Sequence, residues 1–125
     1  MTIQDSLFYT EDHEWIKFEN EQTVIGITDF AQSELGDIVF IEFPEEGDSF
    51  EKGDTMGTIE AVKTVADFFA PVSGKVIEVN LDLEDNAEII NSDPFGKGWL
   101  IKMEMANSSE QSDLLSPNEY RDLIE

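Results

Sequence analysis

The chain has 125 residues, 29 of them acidic and seven basic, giving a formal net charge of −22, and it contains no cysteine. Its length suits one domain, spanning 1–125, with a core of its own. The missing thiols exclude disulfides, thiolate metal sites and a cysteine nucleophile, and so acidic a surface repels nucleic acid and anionic membranes.

A hydrophobic content of 40%, with nine Phe and two Trp, marks a folded globule. The longest apolar runs are a few residues, too short to span a membrane. The stretch from Met1 to Thr10 has neither the basic, apolar build of a signal peptide nor the Arg-rich look of a transit peptide. A cytoplasmic monomer is expected, with a processed organellar form as the alternative location. Acidic residues crowd Glu42 to Asp54 and Glu78 to Glu88, which serves solubility or docking onto basic rims of partner proteins.

Short strands punctuated by turns dominate the pattern. Phe8-Tyr9 opens the ordered chain, and Trp15 to Phe18 alternates as a strand. A polar turn at Glu19-Asn20-Glu21 leads into a return strand, Thr23 to Ile27. Thr28 is a plausible N-cap for a short helix through Leu35, closed by Gly36. Asp37 to Phe43 is the strongest strand, β-branched and aromatic nearly throughout, and Pro44 ends it. Ser49 to Lys52, between turns at Gly47-Asp48 and Gly53-Asp54, reads as an extended link. The central hairpin runs Met56 to Ile59 and Val65 to Ala70 around Ala61 to Thr64, within a core of about residues 54–80. After a turn at Pro71 to Gly74 come a strand at Lys75 to Val79, a helical turn at Leu81 to Asn86, and the short apolar Ile89-Ile90. Loop residues from Asn91 to Gly98 precede a last strand, Trp99 to Met105. In the tail, about 108–125, Ser108 to Leu115 reads as a short helix or irregular link. Ser116 to Glu119 is a capping box with proline at the first helical position.

Catalytic chemistry is thinly stocked. His13 is the only histidine, so there is no histidine pair for a metal and no ready base–nucleophile set. It reads best as a residue packing near a strand start. Carboxylate pairs are unavoidable in so acidic a chain and carry little weight. Gly96-Lys97-Gly98 lies between a proline turn and a strand, the wrong setting for a phosphate loop. No catalytic and no metal-ligating residue is assigned. Lys63 stands apart as the one basic residue between Lys52 and Lys75, with uncharged neighbours Val62 and Thr64. At a hairpin tip it projects clear of the sheet and is open to acylation, although position alone fits a solvated lysine equally well.

Several ordered blocks resemble one family. They are Tyr9-Thr10 with His13-Glu14-Trp15-Ile16, Gly26 to Gln32, Leu35 to Phe40, Glu60-Ala61-Val62-Lys63, Ala70 to Gly74, and Asn91 to Lys102. Together they resemble the H proteins of the glycine cleavage system over nearly the whole chain, with Ala61 where the family usually has serine. The resemblance implies a mainly β, barrel-sandwich hybrid fold of two small antiparallel sheets with short helices, one of them C-terminal. It implies a non-catalytic carrier with lipoate in amide linkage on Lys63, placed there by a lipoate ligase or an octanoyl/lipoyl transferase. The implied partners are a pyridoxal-phosphate glycine decarboxylase (P protein), a folate-dependent aminomethyltransferase (T protein) and a flavin-dependent dihydrolipoamide dehydrogenase (L protein). The carrier shuttles the aminomethyl group from the first to the second, and the third reoxidises it. On the same ground, a cleft for the loaded arm is expected around Glu14, Ile27, Thr64 and Asp67, with Glu14 facing the amine. Glu60 and Val62 are expected to serve recognition by the modifying enzyme. An H-like relay of lipoyl groups to other 2-oxoacid dehydrogenase complexes, and an unmodified interaction module, are the competing readings.

Overall fold

The structure, a computed structural model, describes residues 2–19 and 22–125. Among the described residues, nine strands form two sheets in which every named pairing is antiparallel. In chain order the strands are β1 Phe8–Tyr9, β2 Glu14–Glu19, β3 Gln22–Ile27, β4 Ile38–Glu42, β5 Ser49–Phe50, β6 Thr55–Ala61, β7 Val65–Phe69, β8 Gly74–Val79 and β9 Ile101–Met105. The larger sheet has the order β1-β2-β3-β9-β8-β5, and the smaller is β4-β6-β7. This is the mainly β, two-sheet architecture that the family resemblance implies. Asn20 and Glu21 of the expected turn lie outside the described residues.

The two sheets face each other across the main core. Ile25, Val76, Ile101 and Met103 come from the larger sheet, and Ile41, Ile59 and Phe68 from the smaller. Burial of these side chains is the main force joining them, at about 25 cal/mol per Å² of apolar surface removed from water. Period-two alternation sets which residues face inward: Ile59 and Ala61 are buried on β6, while Thr58 and Glu60, which alternate with them, point outward and are only partly buried.

Four short α-helices among the described residues connect and cover the sheets: α1 Asp29–Leu35, α2 Asp82–Asp85, α3 Ile89–Ser92 and α4 Pro117–Ile124. Helix α1 begins where Thr28 accepts a hydrogen bond from the Ala31 N–H, and it stops at Gly36, whose φ is +80°. Asn91 then ties α1 to β4. Its side-chain nitrogen donates to the Gly36 carbonyl and its oxygen accepts from the Ile38 N–H. The reciprocal box of Ser116 and Glu119 starts α4, which lays Tyr120 against Leu7, Tyr9, Trp15 and Val24 in a second apolar cluster. No helix among the described residues is long and apolar enough to cross a membrane.

Some segments differ from the reading of the sequence. The last strand begins at Ile101 rather than Trp99. Asn80 draws the chain into a loop there by donating to the carbonyls of Lys97 and Trp99. The strand expected over Asp37 to Phe43 is shorter, Ile38–Glu42. The link at Ser49 is partly a strand, because Ser49 and Phe50 pair with Lys75 and Gly74. Ser108–Asp113 forms a 3-10 helix, anchored where Glu110 accepts from both the N–H and the hydroxyl of Ser73.

One glycine in the sheet is fixed by a neighbour. Gly26 pairs with Trp15, and a Cβ there would lie 2.5 Å from the indole Cε2 and Nε1. The indole cannot retreat, since it is buried and donates to the Pro94 carbonyl. Gly26→Ala is expected to cost about 1–3 kcal/mol through overpacking, read as a lower urea midpoint at unchanged slope.

Candidate functional site: a hairpin lysine beside an acidic cleft

Strands β6 and β7 pair Thr58 with Asp67, Ile59 with Ala66 and Glu60 with Val65. The Ala61 N–H donates to the Thr64 carbonyl at 2.8 Å, leaving Val62 and Lys63 as a two-residue tip. Neither takes a left-handed φ, so the tip makes no demand for glycine. A second bond steadies it, from the Val62 N–H to the Asp37 carbonyl at 2.9 Å. Lys63 is exposed, and no ion pair or hydrogen bond to a described residue occupies its amine. By contrast Lys17, Lys52, Lys102 and Arg121 are each paired with a carboxylate.

Below the tip, a cleft of about 400 Å³ opens between β7 and α1. Its walls are apolar, from Ile27, Phe30, Leu35, Ile59 and Phe68, while Asp12, Glu14, Glu34 and Asp67 bring carboxyl groups to it. Asp67 follows Lys63 by four residues, which at 3.3 Å per extended residue places it at most about 13 Å away.

Glu14 is the unusual group. Strand β2 starts with it, opposite Ile27, and its side chain is only 2% exposed. Strand β7 is the edge of its sheet, and Glu14 covers that edge by accepting the Phe69 N–H at 2.8 Å on Oε2. Oε1 accepts the Thr10 hydroxyl at 3.0 Å. Loss of water outweighs these two bonds, and burial pushes the carboxyl up to about 8. Burial in this cleft thus favours the protonated form of Glu14 at neutral pH.

The comparisons with known proteins come down on one side. Residues 7–125 match the family model described as "Glycine cleavage H-protein". The chain belongs to the glycine cleavage H-protein family. It is 52% identical to the glycine cleavage system H protein of Listeria monocytogenes serotype 4a (strain HCC23) over 125 residues, 100% of each chain. The corresponding protein of Staphylococcus haemolyticus is 48% identical over 124 residues, 99% of this chain and 98% of that one. A crystal structure of a glycine cleavage system H protein from Mycobacterium marinum superposes with a TM-score of 0.89 at 37% identity, covering 96% of this chain and 97% of that one. H proteins are the lipoyl carriers of the glycine cleavage system, and the two-sheet fold here is the barrel-sandwich fold of that family.

Of the four residues expected in an H-protein arm cleft, Glu14, Ile27 and Asp67 come together in one lining. Thr64 does not: it is exposed at the tip, outside that lining. Glu60 points outward from β6 between β4 and β7, and Val62 is exposed in the turn. Sequence reasoning assigned nothing to Phe30, Glu34 or Leu35. Their spacing along α1 puts them on one face of a helix, which was the available signal.

His13 also reaches the cleft, in a left-handed conformation with φ +66°. Its Nδ1 lies 2.9 Å from the Tyr120 hydroxyl, which is 2.7 Å from the Thr28 hydroxyl. Its ring sits 4.8 Å from that of Phe30. Burial lowers the imidazole below its ordinary value and pushes the Tyr120 phenol up to about 12. The C-terminal helix thus fastens the turn that leads into Glu14. Tyr120→Phe keeps the 4.6 Å stack on Tyr9 but leaves His13 and Thr28 without this partner. Chemical denaturation should show a loss of about 1–3 kcal/mol.

Proposed function

We propose that Lys63 bears lipoate in amide linkage and that the chain works as a non-catalytic carrier, one lipoyl-carrier domain spanning 1–125. Attachment falls to a lipoate ligase or octanoyl/lipoyl transferase, with Glu60 and Val62 in its recognition surface. The carrier visits, in turn, a pyridoxal-phosphate glycine decarboxylase, a folate-dependent aminomethyltransferase and a flavin-dependent dihydrolipoamide dehydrogenase, as a monomer in the cytoplasm.

The observation that carries this reading is a lysine whose amine no described residue engages, at a hydrogen-bonded hairpin tip, on the same hairpin that walls an acidic cleft. The residues suit the group: Lys63 offers an exposed amine for the amide, and the cleft below offers apolar walls to its hydrocarbon chain. When bound, lipoate supplies the dithiolane sulfur chemistry that a chain without cysteine lacks.

The chain's own residues do the rest. Hydrogen bonds from Ala61 and Val62 hold the attachment point still, and the tether keeps the cargo at high effective concentration near each partner's site. Ile27, Phe30, Leu35, Ile59 and Phe68 exclude water from the cleft. Glu14 receives the amine of the cargo. A neutral amine brought beside Glu14 would take the carboxyl proton, and the resulting ammonium would favour the ionised carboxylate. Asp67 and Glu34 add attraction from the rim.

Reconstitution tests the reading. The lipoylated chain, with the decarboxylase and glycine, is expected to support glycine-dependent release of carbon dioxide, and the unlipoylated chain is not. A lipoylated chain that leaves the decarboxylase at its background rate contradicts it.

A further inference from the structure

Six large apolar side chains are notably exposed among the described residues: Val39, Phe40, Val62, Val65, Leu81 and Leu123. The first four, exposed to 56%, 46%, 71% and 60%, all surround the hairpin tip. Val62 is in the turn itself. Phe40 and Val65 flank Glu60 from either side, because both pair with it across the sheet, so the three form one row on the outer face. Val39 lies where the register of β4 against β6 shifts, between Ile38 and Phe40. The bond from Val62 to Asp37 holds that bulge beside the tip. Scattered single apolar residues are normal on a surface, whereas clustered ones mark an interaction site.

We propose that this apolar collar is the docking surface for the enzyme that acylates Lys63, which meets it with an apolar recess rimmed by basic residues. The inference rests on the reading that Lys63 is lipoylated. Reach decides the occupant. In acylation the reacting atom is Nζ, at the end of a bare lysine side chain. The active site must therefore come within one side chain's length of the hairpin, where contact with the collar is unavoidable. Enzymes that work at the far end of a lipoyl arm meet no such constraint. The basic rim follows from charge. Glu42, Glu60 and Asp67 lie on the same outer face of a chain with net charge −22, and complementary charge speeds encounter and fixes orientation.

The test uses the full chain, lipoate, ATP and a lipoate–protein ligase, comparing the parent with Val39→Thr/Val65→Thr. Threonine keeps the β-branch and the strand preference, and thermal unfolding serves as the check on folding. The double variant should lose about tenfold in kcat/KM for acylation, about 1.4 kcal/mol, mostly through a higher KM for the carrier. Leu123→Thr, equally apolar and exposed but on α4, should be acylated like the parent. A double variant acylated as efficiently as the parent overturns the collar while leaving lipoylation of Lys63 standing. A parent that is never acylated overturns the underlying reading and the collar with it. An equal loss when the fully lipoylated double variant is assayed with glycine decarboxylase overturns the assignment to the acylating enzyme.

Discussion

Lys63→Arg is expected to fold as the parent does and to lose carriage entirely. The side chain is exposed, and nothing among the described residues is bonded to its amine. Its removal should therefore change stability by no more than about 0.5 kcal/mol. Arginine keeps the positive charge, but its guanidinium cannot form the lipoamide. Glycine-dependent carbon dioxide release in the reconstituted system should fall to the rate seen without carrier. Residual turnover well above background would show that the essential group lies elsewhere.

The second large effect belongs to Glu14→Gln, and its sign is set by proton linkage. The folded chain holds this proton up to about 8, against an ordinary value of 4.5. The buried carboxyl is therefore tolerated in full below about pH 4.5. As pH rises toward 8 the folded state must either keep a proton the unfolded chain has released or bury a charge. Relative to the amide variant, the parent should lose stability steadily over that window, on the order of 5 kcal/mol for the whole shift. Parallel urea titrations from pH 4.5 to 8.5 measure the difference, and curves that stay parallel would contradict the burial argument. Glutamine preserves the shape and still accepts the Phe69 N–H, but it has no negative charge for an amine. Loss of a charged hydrogen bond of about 1.5–3 kcal/mol should shorten the sheltered lifetime of the amine-bearing cargo by roughly tenfold to a hundredfold.

The features that were legible in the sequence are those written in local chemistry. Thr28 and Gly36 bracket α1, and Ser116 with Glu119 opens α4, because caps act within one turn of chain. The central hairpin was visible as two β-rich segments of similar length, Met56 to Ile59 and Val65 to Ala70, and with it the place of Lys63. The pairing of strands was not. Strand β3 neighbours β9 and β8 neighbours β5, and nothing in a short apolar run names a partner tens of residues away. The cleft suffers from the same limit, being assembled from segments near residues 12, 27, 31, 59 and 67. Residue patterns alone would leave Glu14 as a strand-edge charge. Only family resemblance singled it out, and burial beside Phe69 explains why it differs from the chain's other acidic residues. The same resemblance brought Thr64 forward, yet the two-residue tip leaves it exposed beside Lys63, above the cleft. Tyr120 carried no sequence signal of its link to His13, since 107 residues separate them.

The central claim is a covalent one, and the intact mass of the chain purified from its native host tests it most directly, with fragmentation to place any modification. The account predicts an increment of one lipoyl group, on Lys63 and on no other lysine. An unmodified chain, from cells whose other lipoyl proteins are fully modified, would contradict it, as would a lipoyl group found on a different lysine.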